Sequence, residues 1–162
     1  MDTKGEYNMQ IRTMTIDDYE QVYDIWLKSG NVLNEIDDSK TGLEKYLLRN
    51  PDTCFVAEDG GKIIGSIMSG HDGRRGYIQH TSVLKSERKK GVGRALVNSA
   101  IDALKSKGII KVALIALAHN KSGNQFWEKM GFANDNGVIY RTKTLTEVTR
   151  VCNENGFNFE EG

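Results

Sequence analysis

Apolar residues recur along this chain with two periods, and the switches between them predict an order of elements. Residues 1–8 are polar and read as a frayed start. Met9 to Arg12 reads as a short strand. Thr15-Ile16-Asp17-Asp18 has capping-box spacing, a hydroxyl first and an acid three residues on. Val22, Ile25 and Trp26 follow at helical spacing, which predicts a helix to about Ser29, stopped by Gly30. Leu43, Tyr46 and Leu47 predict a second helix that ends before Pro51. Thr53–Glu58, Lys62–Ser69 and Tyr77–Leu84 read as three strands. The turns Asp59-Gly60-Gly61 and Gly70-His71-Asp72-Gly73 join them into an antiparallel meander. Val92, Ala95, Leu96, Ala100, Ala103 and Leu104 share one helical face, and Lys105, Lys107 and Gly108 favour the end of that helix. Lys111 to Ala118 is a nearly continuous apolar run, the pattern of a central strand buried on both faces. Ser122-Gly123-Asn124-Gln125 repeats the capping-box spacing before Phe126, Trp127 and Met130, with Gly131 placed to end the helix. Val138 to Leu145 alternates as a last strand.

The predicted order is strand, two helices, three strands, helix, strand, helix, strand. Such a chain is α/β (α+β): a mixed, mostly antiparallel central sheet flanked by helices. Its 162 residues suit a single domain over 9–145, with 146–162 a tail of unassigned structure. The 22 basic and 22 acidic side chains cancel, which argues against a nucleic-acid partner and leaves any anion binding to local clustering. Cys54 lies in an apolar run and reads as a small buried hydrophobe, whereas Cys152 lies in the polar tail. The pair forms no disulfide framework and no metal-ligand spacing, so the expectation is a reducing, cytoplasmic setting and no metal. No signal-peptide core or bilayer-length apolar stretch is present in the sequence, and no membrane association is expected.

Local clustering is strong at one place. Lys85 to Arg94 holds five cations (Lys85, Arg88, Lys89, Lys90, Arg94) against one acid, Glu87, between a predicted strand and the first turn of a helix. The first N–H groups of a helix lack internal partners, and the helix dipole adds about half a positive charge there. Gly91 and Gly93 remove side chains that would hold a bulky anion away. Donors, dipole and cations converge as a phosphate or pyrophosphate site. A Walker loop would need Lys and Ser or Thr after the last glycine, where Arg94-Ala95 stands. A dinucleotide fingerprint would need a small residue in place of Leu96 and a strand running straight into its first glycine. A solvated basic turn that merely caps a helix is the plain alternative.

Arg88-x-x-Gly91-x-Gly93 resembles the coenzyme-binding signature of the GCN5-related N-acetyltransferase (GNAT) family: Arg or Gln, two residues, Gly, any residue, then Gly or Ala. A second block, Asn120 followed by Phe126-Trp127-Glu128-Lys129-Met130-Gly131-Phe132, is similar to the family's Asn, aromatic pair and Gly-Phe ending. The resemblance runs from about Met9 to Leu145. Gly70 to Gly76 looks most like a bacterial branch with poorly defined substrates.

The resemblance implies a splayed pair of parallel strands with acetyl-CoA, as co-substrate, lying in the V. It implies that Val83 and Leu84 offer backbone hydrogen bonds to the pantetheine arm. Lys89, Gly91, Val92, Gly93 and Arg94 would hold the pyrophosphate, with Arg88 structural or on phosphate, and Asn120 would bind the coenzyme from the other strand. Asn120 also reads as a plain helix-start residue. The implied reaction is direct attack of a primary amine, on a small molecule or on a peptide or protein, at the thioester carbonyl. A backbone N–H within Thr81–Val83 would serve the oxyanion. Relatives often place a tyrosine acid in the aromatic pair, but an indole stands at Trp127 and cannot act as a general acid near neutrality. Tyr77 and His80 are the candidate catalytic bases, with water-mediated deprotonation as the alternative. Tyr77 needs a lowered pKa. His80 falls by simple alternation on the other face, unless a strand bulge turns it inward. Tyr19, Trp26 and Tyr46 read as core packing. A coenzyme-binding module without catalysis is the alternative function. Homodimers are frequent among relatives.

Overall fold

The computed structural model describes residues 8–151; Cys152, and with it most of the tail and of the polar start, lies outside the described residues. Strand β1 (Met9–Thr13) leads through a 3-10 turn (Ile16–Asp18) into helix α1 (Tyr19–Lys28). The Asp18 carboxylate accepts from the Thr15 N–H at 2.8 Å, the acid's half of the predicted capping box. Strand β2 (Leu33–Asn34) and helix α2 (Lys40–Arg49) follow, then β3 (Phe55–Asp59), β4 (Lys62–His71) and β5 (Gly76–Val83). Helix α3 (Val92–Ser106), strand β6 (Val112–Leu114), helix α4 (Lys121–Lys129) and strand β7 (Arg150–Val151) complete the order.

Five strands form one sheet in the order β1-β3-β4-β5-β6. The first three ladders are antiparallel and β5–β6 is parallel, so the sheet is mixed as expected. Its two faces carry two cores. Helices α1 and α2 cover one face through Val22, Ile25, Trp26, Leu43 and Leu47, packed on Val56, Ile63 and Met68. Helix α3 covers the other through Val92, Leu96, Val97 and Ala100, packed on Ile64, Ile67 and Ile78. Trp26 and Cys54 are fully buried, and Tyr19 and Tyr46 pack against the first core.

Four sequence expectations need correction. Strand β4 runs on through Gly70 and His71, and the turn lies at 72–75, where Asp72 Oδ1 accepts from the N–H groups of Arg74 and Arg75 at 2.8 Å each. The apolar run 111–118 is not a central strand. Only three of its residues pair, along the open edge of the sheet, and Ile115 is exposed. An apolar run carries no information about how many neighbours a strand has. Val138–Leu145 forms no strand: Val138, Ile139, Tyr140 and Leu145 are exposed, and alternation alone cannot make a strand without a partner edge. Among the described residues the last strand is instead the short β7, paired with β2. Finally, α4 is capped by Asn120, whose Oδ1 accepts from the Gly123 N–H at 3.0 Å, rather than by Ser122.

Candidate active site

The site begins where the parallel ladder stops. Gly76, Tyr77 and Ile78 pair with Val112, Ala113 and Leu114, but β5 continues to Val83 with no partner on that side among the described residues. The strands therefore part beyond Ile78. Along this stretch the Leu84 N–H donates to the Ile64 carbonyl of β4 at 2.9 Å. Antiparallel alternation then turns the backbone groups of Ser82 and Leu84 toward β4, and those of Thr81 and Val83 into the gap. Leu84, expected to pair with a pantetheine arm, has its N–H committed to Ile64, and its carbonyl accepts from Glu87 at 2.8 Å. The Val83 N–H points into the gap, while the Arg88 Nε donates to its carbonyl at 3.3 Å. Arg88 thus braces the strand end against the loop.

The loop after β5 has the shape an anion site needs. Lys89 and Gly91 adopt left-handed conformations, φ 63° and 85°. Gly91 is the N-cap of α3, and its carbonyl accepts the first helical bond, from Ala95 at 3.0 Å. The N–H groups of Val92, Gly93 and Arg94 have no partner among the described residues. Left-handed residues next to helical ones gather successive N–H groups into a concavity that suits phosphate oxygens. Lys89 and Arg94 are exposed beside it, whereas Lys90 reaches Glu87 at 2.9 Å and holds that carboxyl below its usual range. Gly93 serves packing as well: a Cβ there would stand 3.3 Å from the Phe126 ring. Phe126 meets Trp127 edge-on, centroids 5.0 Å apart, and Trp127 meets Phe132 at 5.2 Å. The aromatic pair is therefore a wedge tying α4 to the start of α3. Asn120 spends its Oδ1 on the α4 cap, so only its Nδ2 is left to reach a ligand.

The candidate bases lie on the face of α1 and α2. Tyr77 is opposite Gly70, whose missing side chain would meet Tyr46 and Asn50 of the α2 end. Burial pushes the Tyr77 phenol up to about 12, with Tyr140 adding to the shift. That is the reverse of what a base needs, so Tyr77 can donate a proton in a hydrogen bond but stays neutral. Gln79 is opposite Met68 on the same face and cannot titrate. The ladder slips between Met68/Gln79 and Ser66/Ser82, where two steps on β4 face three on β5. The extra residue makes a bulge, and His80 sits in it with φ 42°. Its ring packs on Trp26, centroids 4.8 Å apart, and its Nε2 is 2.7 Å from Asp38 Oδ1. His80 thus faces α1 and α2, as simple alternation would not have it. Nothing in the sequence around Asp38 pointed to this pairing across 42 residues. Three buried polar atoms have no partner among the described residues: Trp26 Nε1, Ser66 Oγ and Thr81 Oγ1. All three flank the bulge, the region where unsatisfied polar groups are tolerated at a cost in stability.

Among the described residues no group of three or more His, Cys, Asp or Glu could hold a metal ion, and no helix is long and apolar enough to cross a membrane.

The chain is similar to known proteins over most of its length. The family model described as the acetyltransferase (GNAT) family matches residues 19–132. An acetyltransferase of Sodalis glossinidius is 31% identical over 139 residues, covering 86% of this chain and 97% of that one. The structure of the PaiA N-acetyltransferase of Thermoplasma acidophilum, in complex with coenzyme A, superposes with a TM-score of 0.71 at 20% identity, over 80% of this chain and 92% of that one. Glucosamine-6-phosphate N-acetyltransferase of Arabidopsis thaliana superposes with a TM-score of 0.62 at 26% identity, over 86% of this chain and 99% of that one.

Proposed function

Because the chain belongs to the GNAT family of acetyltransferases, we propose that it transfers the acetyl group of acetyl-CoA directly to a primary amine, with His80 as the proton acceptor. The observation that carries this reading is the opening of the β5–β6 ladder beyond Ile78 beside the left-handed loop at the start of α3. Val83 supplies a backbone N–H to the pantetheine arm, and the N–H groups of Val92, Gly93 and Arg94, with Lys89, hold the pyrophosphate. The Thr81 N–H faces the same gap and polarises the thioester carbonyl. Bound there, acetyl-CoA supplies the activated acetyl group. His80 takes one proton from the acceptor ammonium. The freed amine nitrogen then bonds to the carbonyl carbon, the C–S bond breaks, and the second amine proton ends on the departing thiolate. Tyr77, held neutral by burial, serves as a hydrogen-bond donor rather than a base. Asn120 reaches the coenzyme through Nδ2 alone.

The acceptor is a primary amine on a small molecule or a peptide; relatives of this fold take amines as different as glucosamine 6-phosphate. The test is thiol release from acetyl-CoA with a panel of amines: a lysine peptide, an N-terminal alanine peptide, spermidine, kanamycin and glucosamine 6-phosphate. Turnover with one or more is expected. Tight coenzyme A binding with no turnover of any amine would favour the second reading, a binding module, for which Trp127 in place of a titratable acid speaks.

A further inference from the structure

Asp38 lies between β2 and α2, distant in sequence from the strand it meets. Its side chain is 7% exposed, and both of its oxygens are engaged. Oδ2 accepts from the Asn34 N–H at 2.7 Å, and Oδ1 stands 2.7 Å from His80 Nε2. Its backbone carbonyl accepts from the Tyr19 hydroxyl at 3.0 Å, which fixes the residue from α1 as well. A buried carboxylate is tolerated only when paired, and an ionised one can only accept. The proton between the two side chains therefore belongs to His80 Nε2. A neutral imidazole carries one proton, so Nδ1 is left with its lone pair. That nitrogen makes no hydrogen bond among the described residues. The Trp26 ring, lying against the imidazole, restrains it from turning over. His80 is also two residues past Ile78, the last of β5 to pair with β6, so it stands where the strands begin to part.

We propose that Asp38 is a positioning residue for acetyl transfer: it holds His80 in the Nε2–H tautomer, and so makes Nδ1 the atom that takes the proton from the acceptor amine. The proposal rests on the reading of His80 as the base. The acceptor ammonium gives one proton to Nδ1. The ring becomes an imidazolium whose Nε2–H stays on Asp38, which remains ionised, and the proton gained at Nδ1 is later passed to solvent. Asp38 touches no reacting atom. It acts through the ring, as a buried carboxylate does behind the histidine of a hydrolytic triad. The plain alternative is a strut that ties the segment before α2 to the sheet. A strut needs only that one hydrogen bond, and nothing in it depends on what happens at Nδ1.

The two are separated by Asp38→Asn, His80→Gln and the double variant of the full chain. The assay is thiol release with acetyl-CoA and whichever panel amine turns over fastest. Each single variant should lower kcat by about 100- to 10,000-fold with the KM for acetyl-CoA unchanged, and the double variant should fall no further than His80→Gln. Nitrogen-15 NMR of the wild-type chain should show His80 protonated at Nε2 and bare at Nδ1. A neutral wild-type His80 protonated at Nδ1 and bare at Nε2 overturns the proposal whether or not any amine turns over or any variant folds. A double variant well below His80→Gln marks a strut and also overturns it. If Asp38→Asn keeps kcat within about threefold while His80→Gln loses it, the positioning role fails and the base stands. If His80→Gln keeps wild-type kcat, the base reading fails, and this proposal with it.

Discussion

Replacing Gly91 by valine isolates what the loop's backbone shape is worth. Gly91 has φ 85°, and a Cβ built there meets nothing within 4 Å, so the substitution creates no clash inside the protein. The whole effect on the free protein is conformational. A β-branched residue held left-handed costs about 1–3 kcal/mol. In the free protein the loop can escape this strain by rotating, which turns the N–H groups at the start of α3 away from the concavity. Binding would then have to restore the shape. The loss of affinity through shape is therefore capped by the strain itself, about 1–3 kcal/mol, or roughly 5- to 150-fold in Kd. It is not set by the larger sum of the hydrogen bonds to phosphate. Asparagine, which tolerates the left-handed region, should lose much less. Isothermal titration with coenzyme A gives both affinities. The melting temperature should fall by only a few degrees, since about 1 kcal/mol shifts a chain of this size by about 2–4 °C. Valine binding as tightly as glycine would refute the role of the loop's shape. Valine and asparagine losing equally, by far more than the cap, would mean that the ligand packs directly on the Gly91 Cα.

Two further outcomes follow from burial. Trp26 is fully buried against both the core and His80, so Trp26→Ala should cost about 3–5 kcal/mol in urea unfolding. Trp26→Phe should cost far less, because the indole Nε1 has no partner to lose. Burial pushes the Cys54 thiol from 9.0 up to about 12, and it pushes the Tyr46 phenol up as well. A raised folded pKa means stability that is complete below the unfolded value and lost as pH rises toward the folded one. The denaturation midpoint should therefore fall steadily above about pH 9, and Cys54→Ala should remove the earliest part of that fall.

What could be read in the sequence was local. Gly60-Gly61 announced a hairpin, and both residues are left-handed, φ 57° and 82°. The apolar stripe from Val92 to Leu104 became the face of α3 on the sheet. Gly91 and Gly93 marked a loop whose first glycine is left-handed and whose second admits Phe126. What stayed hidden depended on partners. Val138–Leu145 alternates as well as many strands do, yet no edge receives it. The run from Lys111 promised a buried strand and stands at the rim of the sheet. The bulge had no signature of its own, since its left-handed residue is a histidine rather than a glycine. Asp38 looked like one of several acids near a helix start until the fold set it against His80.

The bulge also says something about what the sheet does without. Strike His80 from β5, and the residues to either side keep a plain alternation: Ile78 to the α3 core, Gln79 to the side of Met68, then Ser82 to Asn31 and Val83 to the α3 core. Every neighbour already occupies the place a plain strand would assign it. His80 is thus a supernumerary residue, carried in an unfavourable conformation by a ladder that would close more simply in its absence. What the bulge adds to the sheet is thus a side chain, set against Asp38 and Trp26, and no further ladder pairing.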